Sequence, residues 1–247
     1  MESPEPRFAR IAATIGDPTR ARMLAALMGG RYMAAGELAA AAGVTAQTAT
    51  THITRLIESE LVVLRTQGRH RYLRLADAQI AHVLEALSLV AERGADQDKW
   101  SQGAYKPLKA ARTCYSHLAG ELGVKWFEGM LARGTIAPRE GHFVLTEPGR
   151  AELLALGVVL PTVASASGHS AASAASTSTR STVAERRFAY PCLDWSERRD
   201  HLAGGLAVAL LAHAIEARWL RRVGESRALT LTPMGAKALA PWLVSSS

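Results

Sequence analysis

Apolar residues recur at helical spacing from Arg7 to Ile15, where Phe8, Ile11, Ala12 and Ile15 share a stripe. Gly16 ends that stripe. Asp17 is a natural N-cap, and Pro18 stands at a first helical position where a missing N–H costs nothing. The spacing predicts a second helix through Met23, Leu24 and Leu27 to the stop at Gly29-Gly30. A short alanine-rich helix is expected over Ala34 to Ala42, closed by Gly43. Thr45 caps another over Ala46 to Ser59, with Ala49, Ile53, Leu56 and Ile57 on one face. The pattern then becomes strand-like. Leu61 to Leu64 and Arg71 to Leu75 predict two strands, with Thr66 to His70 as their turn around Gly68. Asp77 opens a last helix whose Ile80, Val83, Leu84, Leu87 and Val90 form a stripe.

A short helix, a turn, a second helix and a hairpin are the order of a winged helix-turn-helix. In that arrangement the first helix of the pair braces the second, which enters the major groove. The outward residues of the second helix would be Gln47, Thr48, Thr51, His52 and Arg55, with Thr45 at its start. These are polar groups able to reach base edges and phosphates. Charge sharpens the picture. Between Leu61 and Ala76 the chain holds Arg65, Arg69, Arg71, Arg74 and His70 and no acid. Arg69, His70 and Arg71 at the hairpin tip suit the phosphate backbone or the minor groove. The same hairpin could be only a solvated face, and a winged helix can serve protein contacts alone.

Residues 7–93 resemble the ArsR family of bacterial winged-helix transcription regulators. The carrying segments are Gly16-Asp17-Pro18-Thr19-Arg20, Gly36-Glu37-Leu38-Ala39, Gln47-Thr48-Ala49-Thr50-Thr51-His52-Ile53 and Gly68-Arg69-His70-Arg71-Tyr72-Leu73-Arg74-Leu75. The resemblance implies a homodimer joined through its first and last helices, each subunit offering one recognition helix to an inverted-repeat operator. Phe8, Ile11, Ile15, Leu84, Leu87 and Val90 could supply the seam. Many such regulators are repressors released by metal, and here the chain departs from the pattern. Glu37-Leu38 is followed by Ala39-Ala40-Ala41 where the arsenic and cadmium sensors carry thiols. Asp77 is followed by Gln79 at a position that zinc sensors give to a ligand, and His82 alone completes no site.

The second half repeats itself. His117 to Val124 and His201 to Val208 share six of eight residues, and Leu145-Thr146-Glu147-Pro148-Gly149 is echoed by Leu231-Thr232-Pro233-Met234-Gly235. Each unit, 112–160 and 190–244, is expected to run as a long helix, a short strand ending Leu-Thr, and a capped helix. Stacking of the two would bury a core and leave a pocket at their junction. Between them lies the 161–183 segment, whose Ala, Ser and Thr residues show no periodicity and suit a flexible loop. The expected architecture is therefore mainly α (α+β). A winged helix-turn-helix domain for DNA binding and dimerisation occupies 1–95, and a duplicated helix–strand–helix sensing domain occupies 96–247.

Both cysteines belong to this half. Cys114 stands three residues before His117, so a helix would put both on one face, and Cys192 lies on a Pro191-led turn nine residues before His201. If the units pack symmetrically, Cys114, His117, Cys192 and His201 converge. Two thiolates and two imidazoles suit zinc or another soft metal ion, and the same thiols could form a disulfide switch or be plain buried cysteines. An organic effector is the other candidate. Trp126, Phe127, Tyr190, Trp195, Trp219 and Trp242 are concentrated here, and Arg112, Arg198 and Arg199 could hold a carboxylate or phosphate.

Composition narrows the classes. Of 247 residues 48% are hydrophobic and 21% charged, which excludes a wholly disordered chain and a disulfide-stapled mini-protein. No apolar run reaches the roughly 18 residues of a membrane span, and the start reads as no signal peptide, so a cytoplasmic setting is expected. The net charge of +7 favours an anionic partner. A DNA-binding regulator follows, most simply a repressor that answers an effector or redox signal. Two alternatives stand beside it. One is an enzyme using Cys192 and His201 as nucleophile and base, for which no oxyanion or phosphate-binding motif is found. The other is an architectural DNA protein with no effector.

Overall fold

The computed structural model describes residues 7–68, 70–91, 106–161, 183–224 and 226–243. The chain divides into two compact units, Met1–Leu87 and Ser88–Ser247. Arg69 and nearly all of the 161–183 segment lie outside the described residues.

In the first unit α1 (Arg7–Ile15), α2 (Pro18–Leu27), α3 (Ala35–Ala42) and α4 (Ala46–Glu58) precede an antiparallel hairpin of β2 (Val62–Gln67) and β3 (His70–Leu75), and α5 (Ala78–Ala91) follows. The division between the units falls inside α5, not after residue 95. A strand that no periodicity announces, β1 (Met33–Ala34), pairs with β3 and makes a three-stranded sheet ordered β1-β3-β2. Two residues are too few to show alternation. The hairpin is also longer than expected. Its last pair is Gln67↔His70, and Gly68, just beyond Gln67, has φ 58°, a backbone that favours glycine. The strand ends that carry Thr66, Gln67 and Arg71 project past the core and so lack the apolar signal of a strand. Met23, Leu24, Leu27, Leu38, Leu56, Leu73 and Leu75 fill the interior.

The Gly16–Arg20 segment is a device for ending one helix and starting the next. The Asp17 carboxylate accepts from the Thr19 and Arg20 N–H groups at 3.0 Å each, capping α2. Arg20 turns back, donating from Nε to the Thr14 carbonyl at 2.6 Å and from its terminus to that of Ala13 at 3.2 Å. Carbonyls at the end of α1 are thereby satisfied. The Arg20 N–H is the chief cause of a lowered Asp17 pKa; burial opposes it, and the Arg20 and His52 charges reinforce it. Asp17→Ala is expected to cost about 0.5–2 kcal/mol in urea unfolding. Because the folded pKa is depressed, the stabilisation is complete above the ordinary carboxylate range and is lost as pH falls through the lowered value.

The second unit runs twice through one order of elements: short helix, hairpin, longer helix, hairpin, helix. The first pass is α6 (Lys106–Ala110), β4 (Arg112–Cys114), β5 (His117–Ala119), α7 (Glu121–Ala132), β6 (Ile136–Arg139), β7 (His142–Leu145) and α8 (Glu147–Ala155). The second is α9 (Val183–Phe188), β8 (Tyr190–Leu193), β9 (Asp200–Ala203), α10 (Gly205–Glu216), β10 (Leu220–Arg222), β11 (Leu229–Leu231) and α11 (Pro233–Leu239).

The expected helix–strand–helix unit is thus corrected at its start. His117 and His201 stand on strands, and Cys192 stands on β8 rather than on a turn. The reason lies at Gly120 and Gly204, which precede α7 and α10 at φ 81° and 96°. A Cβ at either would sit 2.6 Å from the carbonyl of Lys109 or Phe188. Only glycine permits this backbone and this approach, and the helix can begin only after it.

The two passes interlock. Thr113 N donates to Arg227 O and Leu229 N to Ala111 O, while Phe143 N donates to Ala189 O. Each opening hairpin therefore meets the closing hairpin of the other half. Trp126, Phe127, Trp219 and Trp242 are buried in one cluster with Met130, Leu206 and Leu210. These aromatics are core, and the void among them, lined by Leu118, Trp126, Phe127 and Leu202, is only about 20 Å³, room for a single water. A larger pocket of about 430 Å³ does lie between the halves, lined by Pro107, Ala111, Leu122 and Lys125 of the first and Leu229, Leu231 and Leu243 of the second. Among the described residues no helix is long and apolar enough to cross a membrane.

Candidate functional site

In the first unit α4 is braced by packing on α2 and α3, burying Ala49, Ile53 and Leu56. Thr45 caps it, its hydroxyl accepting from Thr48 N at 3.2 Å and lying 2.9 Å from the Thr48 hydroxyl. Gln47, Thr48, Thr51 and Arg55 are exposed, as are Thr50 and Thr54. The last two escape sequence reasoning because small polar residues surround the whole start of the helix, and the pattern alone does not say where the exposed arc ends. Their hydroxyls bond the carbonyls four residues back.

His52 corrects the outward set. It is half-buried, with Nδ1 3.6 Å from an Asp17 carboxylate oxygen. The ring thus lies beside the cap of α2. The hairpin bears exposed Arg65, His70 and Arg71, while Arg69 lies outside the described residues. Tyr32 is a further residue that the pattern does not announce. Its ring lies 4.9 Å from the Arg74 guanidinium and 5.8 Å from that of Arg65, a cation–π seat at the base of the wing.

The second unit brings Cys114, His117, Cys192 and His201 together. Cys114 pairs with His117 across the β4–β5 hairpin and Cys192 with His201 across β8–β9. The expected convergence is present, but it is hairpin register, not helical spacing, that places the residues. The potential ligand atoms of the four all lie within 4.8 Å of one another, and all four residues are buried. His117 Nε2 and His201 Nε2 are 3.1 Å apart. Both cysteines are free thiols. A hydrogen bond with Cys192, then burial, push the Cys114 pKa up to about 12.

Behind His201 stands Asp194, which no motif singles out. Its Oδ2 lies 3.2 Å from His201 Nδ1, a charge contact rather than a well-aligned hydrogen bond. Burial works against charge on His201, yet Asp194 and Cys114 outweigh it and raise its pKa to about 9. Asp194 is itself fully buried. It accepts from Arg112 at 2.9 Å, from Gly120 N at 2.7 Å, and from the N–H and hydroxyl of Ser196. Burial opposes its ionisation, but these partners and His201 hold its pKa well below the ordinary range.

Arg112 also donates to the Ser196 hydroxyl and the Leu108 carbonyl, and its guanidinium stacks 4.6 Å from the Trp195 ring. Arg199 pairs with Glu128 at 2.8 Å. The anion-holding role considered for these two arginines is therefore taken by the protein's own carboxylates. The Cys192–His201 pair, weighed as nucleophile and base, is buried beside a second thiol and a second imidazole.

Residues 15–65 match the model of a helix-turn-helix domain. The chain is 35% identical over 230 residues to the uncharacterized HTH-type transcriptional regulator YdfF of Bacillus subtilis, covering 93% of this chain and 94% of that one. The chain belongs to the HTH-type transcriptional regulators. It is also 37% identical over 86 residues to the HTH-type transcriptional regulator CmtR of Mycobacterium bovis, across 35% of this chain and 72% of that protein. Among solved structures, a homodimeric winged helix-turn-helix domain from Mycobacterium bovis, described as a possible ArsR-family regulator, matches at 22% identity and TM-score 0.33. It covers 38% of this chain and 93% of that one. The ArsR-type resemblance of residues 7–93 agrees with this membership. The relation to YdfF runs through the second unit as well.

Proposed function

We propose that the protein is a cytoplasmic transcriptional repressor that binds an inverted-repeat operator as a homodimer and takes its signal through the second unit. The observation that carries the DNA-binding reading is the exposed, polar face of α4 beside an arginine-bearing hairpin. A face kept for protein contacts would show apolar groups there. Gln47, Thr48, Thr51 and Arg55 reach base edges, and Arg71, His70 and Arg69 hold the phosphate backbone.

Dimerisation is supported by a second surface. Phe8 is 71% exposed, and Val83, Leu87 and Val90 on α5 are about half exposed. Val83, Leu87 and Val90 recur at helical spacing and give α5 an apolar stripe on its surface. Of the seam residues expected from the sequence, Leu84 instead turns into its own core.

The test is equilibrium binding of the full chain to duplex DNA at several salt concentrations. Arg71→Ala should weaken binding to all sequences alike and flatten the log–log salt slope by about 1. Gln47→Ala and Thr51→Ala should leave the slope unchanged and shift sequence preference by about 1–3 kcal/mol. Identical behaviour of wing and helix variants on specific and random DNA would refute the division of roles. Leu87→Asp should halve the mass seen in light scattering; a wild-type chain that is already monomeric would remove the seam.

A further inference from the structure

The second unit holds a cluster that DNA binding does not use. We propose that Cys114, His117, Cys192 and His201 bind one tetrahedral metal ion of the Zn²⁺ class, clasping the two halves of the second unit. The assignment goes beyond the regulator reading and is measured without DNA, so either can fail alone.

The donor set comes first. Two sulfurs and two imidazole nitrogens are the complement of a closed zinc site, which takes four protein ligands and leaves no open position. The spacing fits. Zn–N bonds of about 2.0–2.1 Å at a tetrahedral angle put two nitrogens about 3.3 Å apart, and Zn–S bonds of about 2.3 Å put two sulfurs about 3.8 Å apart. The two Nε2 atoms stand 3.1 Å apart, and every pair of donor atoms falls within 4.8 Å. Nε2 of both rings faces the cluster, leaving His201 Nδ1 toward Asp194. A carboxylate beside the second nitrogen of a ligating imidazole is a common companion of such sites, here as a charge contact at 3.2 Å. Asp194 is held in turn by Arg112 and the Gly120 N–H.

The symmetry of the site is an independent observation. Each half contributes one cysteine and one histidine from facing strands of its opening hairpin, and the two histidines are 84 residues apart in sequence. A buried cysteine is commonplace. Two buried Cys–His pairs from matching hairpins, with all four donors converging, are what a shared ion would need. The ligands have no exposed edge for a substrate, so the site is a lock or a sensor rather than a catalytic centre.

The experiment is metal analysis of the purified full chain, produced with Zn²⁺ in the medium and kept reduced. About one equivalent per chain is expected. The chelator-stripped chain should take up one equivalent of Co²⁺ with the thiolate charge-transfer absorption of a tetrahedral site, and Zn²⁺ should bleach it. A Cys114→Ser/Cys192→Ser variant should lose both signals. If that variant does not fold, the wild-type cobalt spectrum still decides the matter, since it reports thiolate ligation directly. Absence of retained metal together with no cobalt absorption in the reduced wild-type chain would overturn the site. So would a cobalt spectrum that the folded double variant reproduces.

Discussion

Asp194→Ala is expected to unfold the second unit at far lower urea than the wild type, with a loss of about 3–5 kcal/mol. The substitution removes the carboxylate with which the fully buried Arg112 pairs at 2.9 Å. It also strips the acceptor from the buried Gly120 N–H. Replacing both charges, as Arg112→Met with Asp194→Leu, should be milder than the sum of the two single changes. A buried pair costs more to break than to exchange for apolar side chains. The measurement is urea unfolding of Asp194→Ala and of the cycle of wild type, Arg112→Met, Asp194→Leu and the double variant, followed by tryptophan fluorescence. All of the tryptophans lie beyond residue 99, so the signal reports the second unit and not the DNA-binding one. Equal, additive losses would mean that Arg112 and Asp194 do not depend on each other.

The second large effect is expected at two glycines of the repeated Leu-Thr motif. Thr146 and Thr232 cap α8 and α11, each hydroxyl accepting from the N–H three residues on, that of Gly149 or Gly235, at 3.0 Å. The same glycines press against the preceding chain. A Cβ at Gly149 would lie 2.1 Å from the Thr135 carbonyl oxygen, and one at Gly235 would lie 2.2 Å from that of Trp219. The obstacle is backbone, so it cannot swing aside as a flexible side chain would. Gly149→Ala and Gly235→Ala should each destabilise the second unit by about 1–3 kcal/mol or more. Gly36, on α3 with nothing within 4 Å of its would-be Cβ, is the control. Gly36→Ala should be neutral or stabilise by up to about 1 kcal/mol, as alanine does in a helix. A loss at Gly36 equal to that at Gly149 would contradict the close-approach account.

The repeated motif also shows which features the amino-acid sequence makes legible. Thr146 and Gly149 recur as Thr232 and Gly235 because each pair solves one packing problem, and a short-range solution leaves a short-range signature. The helices of the first unit are legible for the same reason. Their caps at Asp17, Thr45 and Asp77 act within three residues, as the Ile80 N–H to Asp77 bond at 3.0 Å illustrates. Long-range arrangements leave less trace. The strand at Met33–Ala34 exists only because β3 lies beside it. Spacing alone puts His117 and His201 on helices, since Leu118 and Leu122 mimic a helical stripe, and the φ of Gly120 that delays the helix is invisible in a letter code.

The convergence of two cysteines and two histidines is legible from the repeat, though the hairpins that bring it about are not. Asp194, Tyr32 and the inward turn of His52 are not legible at all. Each depends on a partner distant in sequence: Arg112 across from Asp194, Arg65 and Arg74 around Tyr32, and Asp17 across from His52.

The central claim is that α4 presents a reading surface to duplex DNA. Selection of binding sites from a random duplex pool by the full chain tests it most directly. The account predicts an enriched inverted repeat whose half-sites are centred about one helical turn, roughly 34 Å, apart. It also predicts that the Gln47→Ala/Thr51→Ala protein, still folded, enriches a different or degenerate sequence. A pool that emerges without a repeat, or the same repeat recovered by wild type and variant alike, would contradict it.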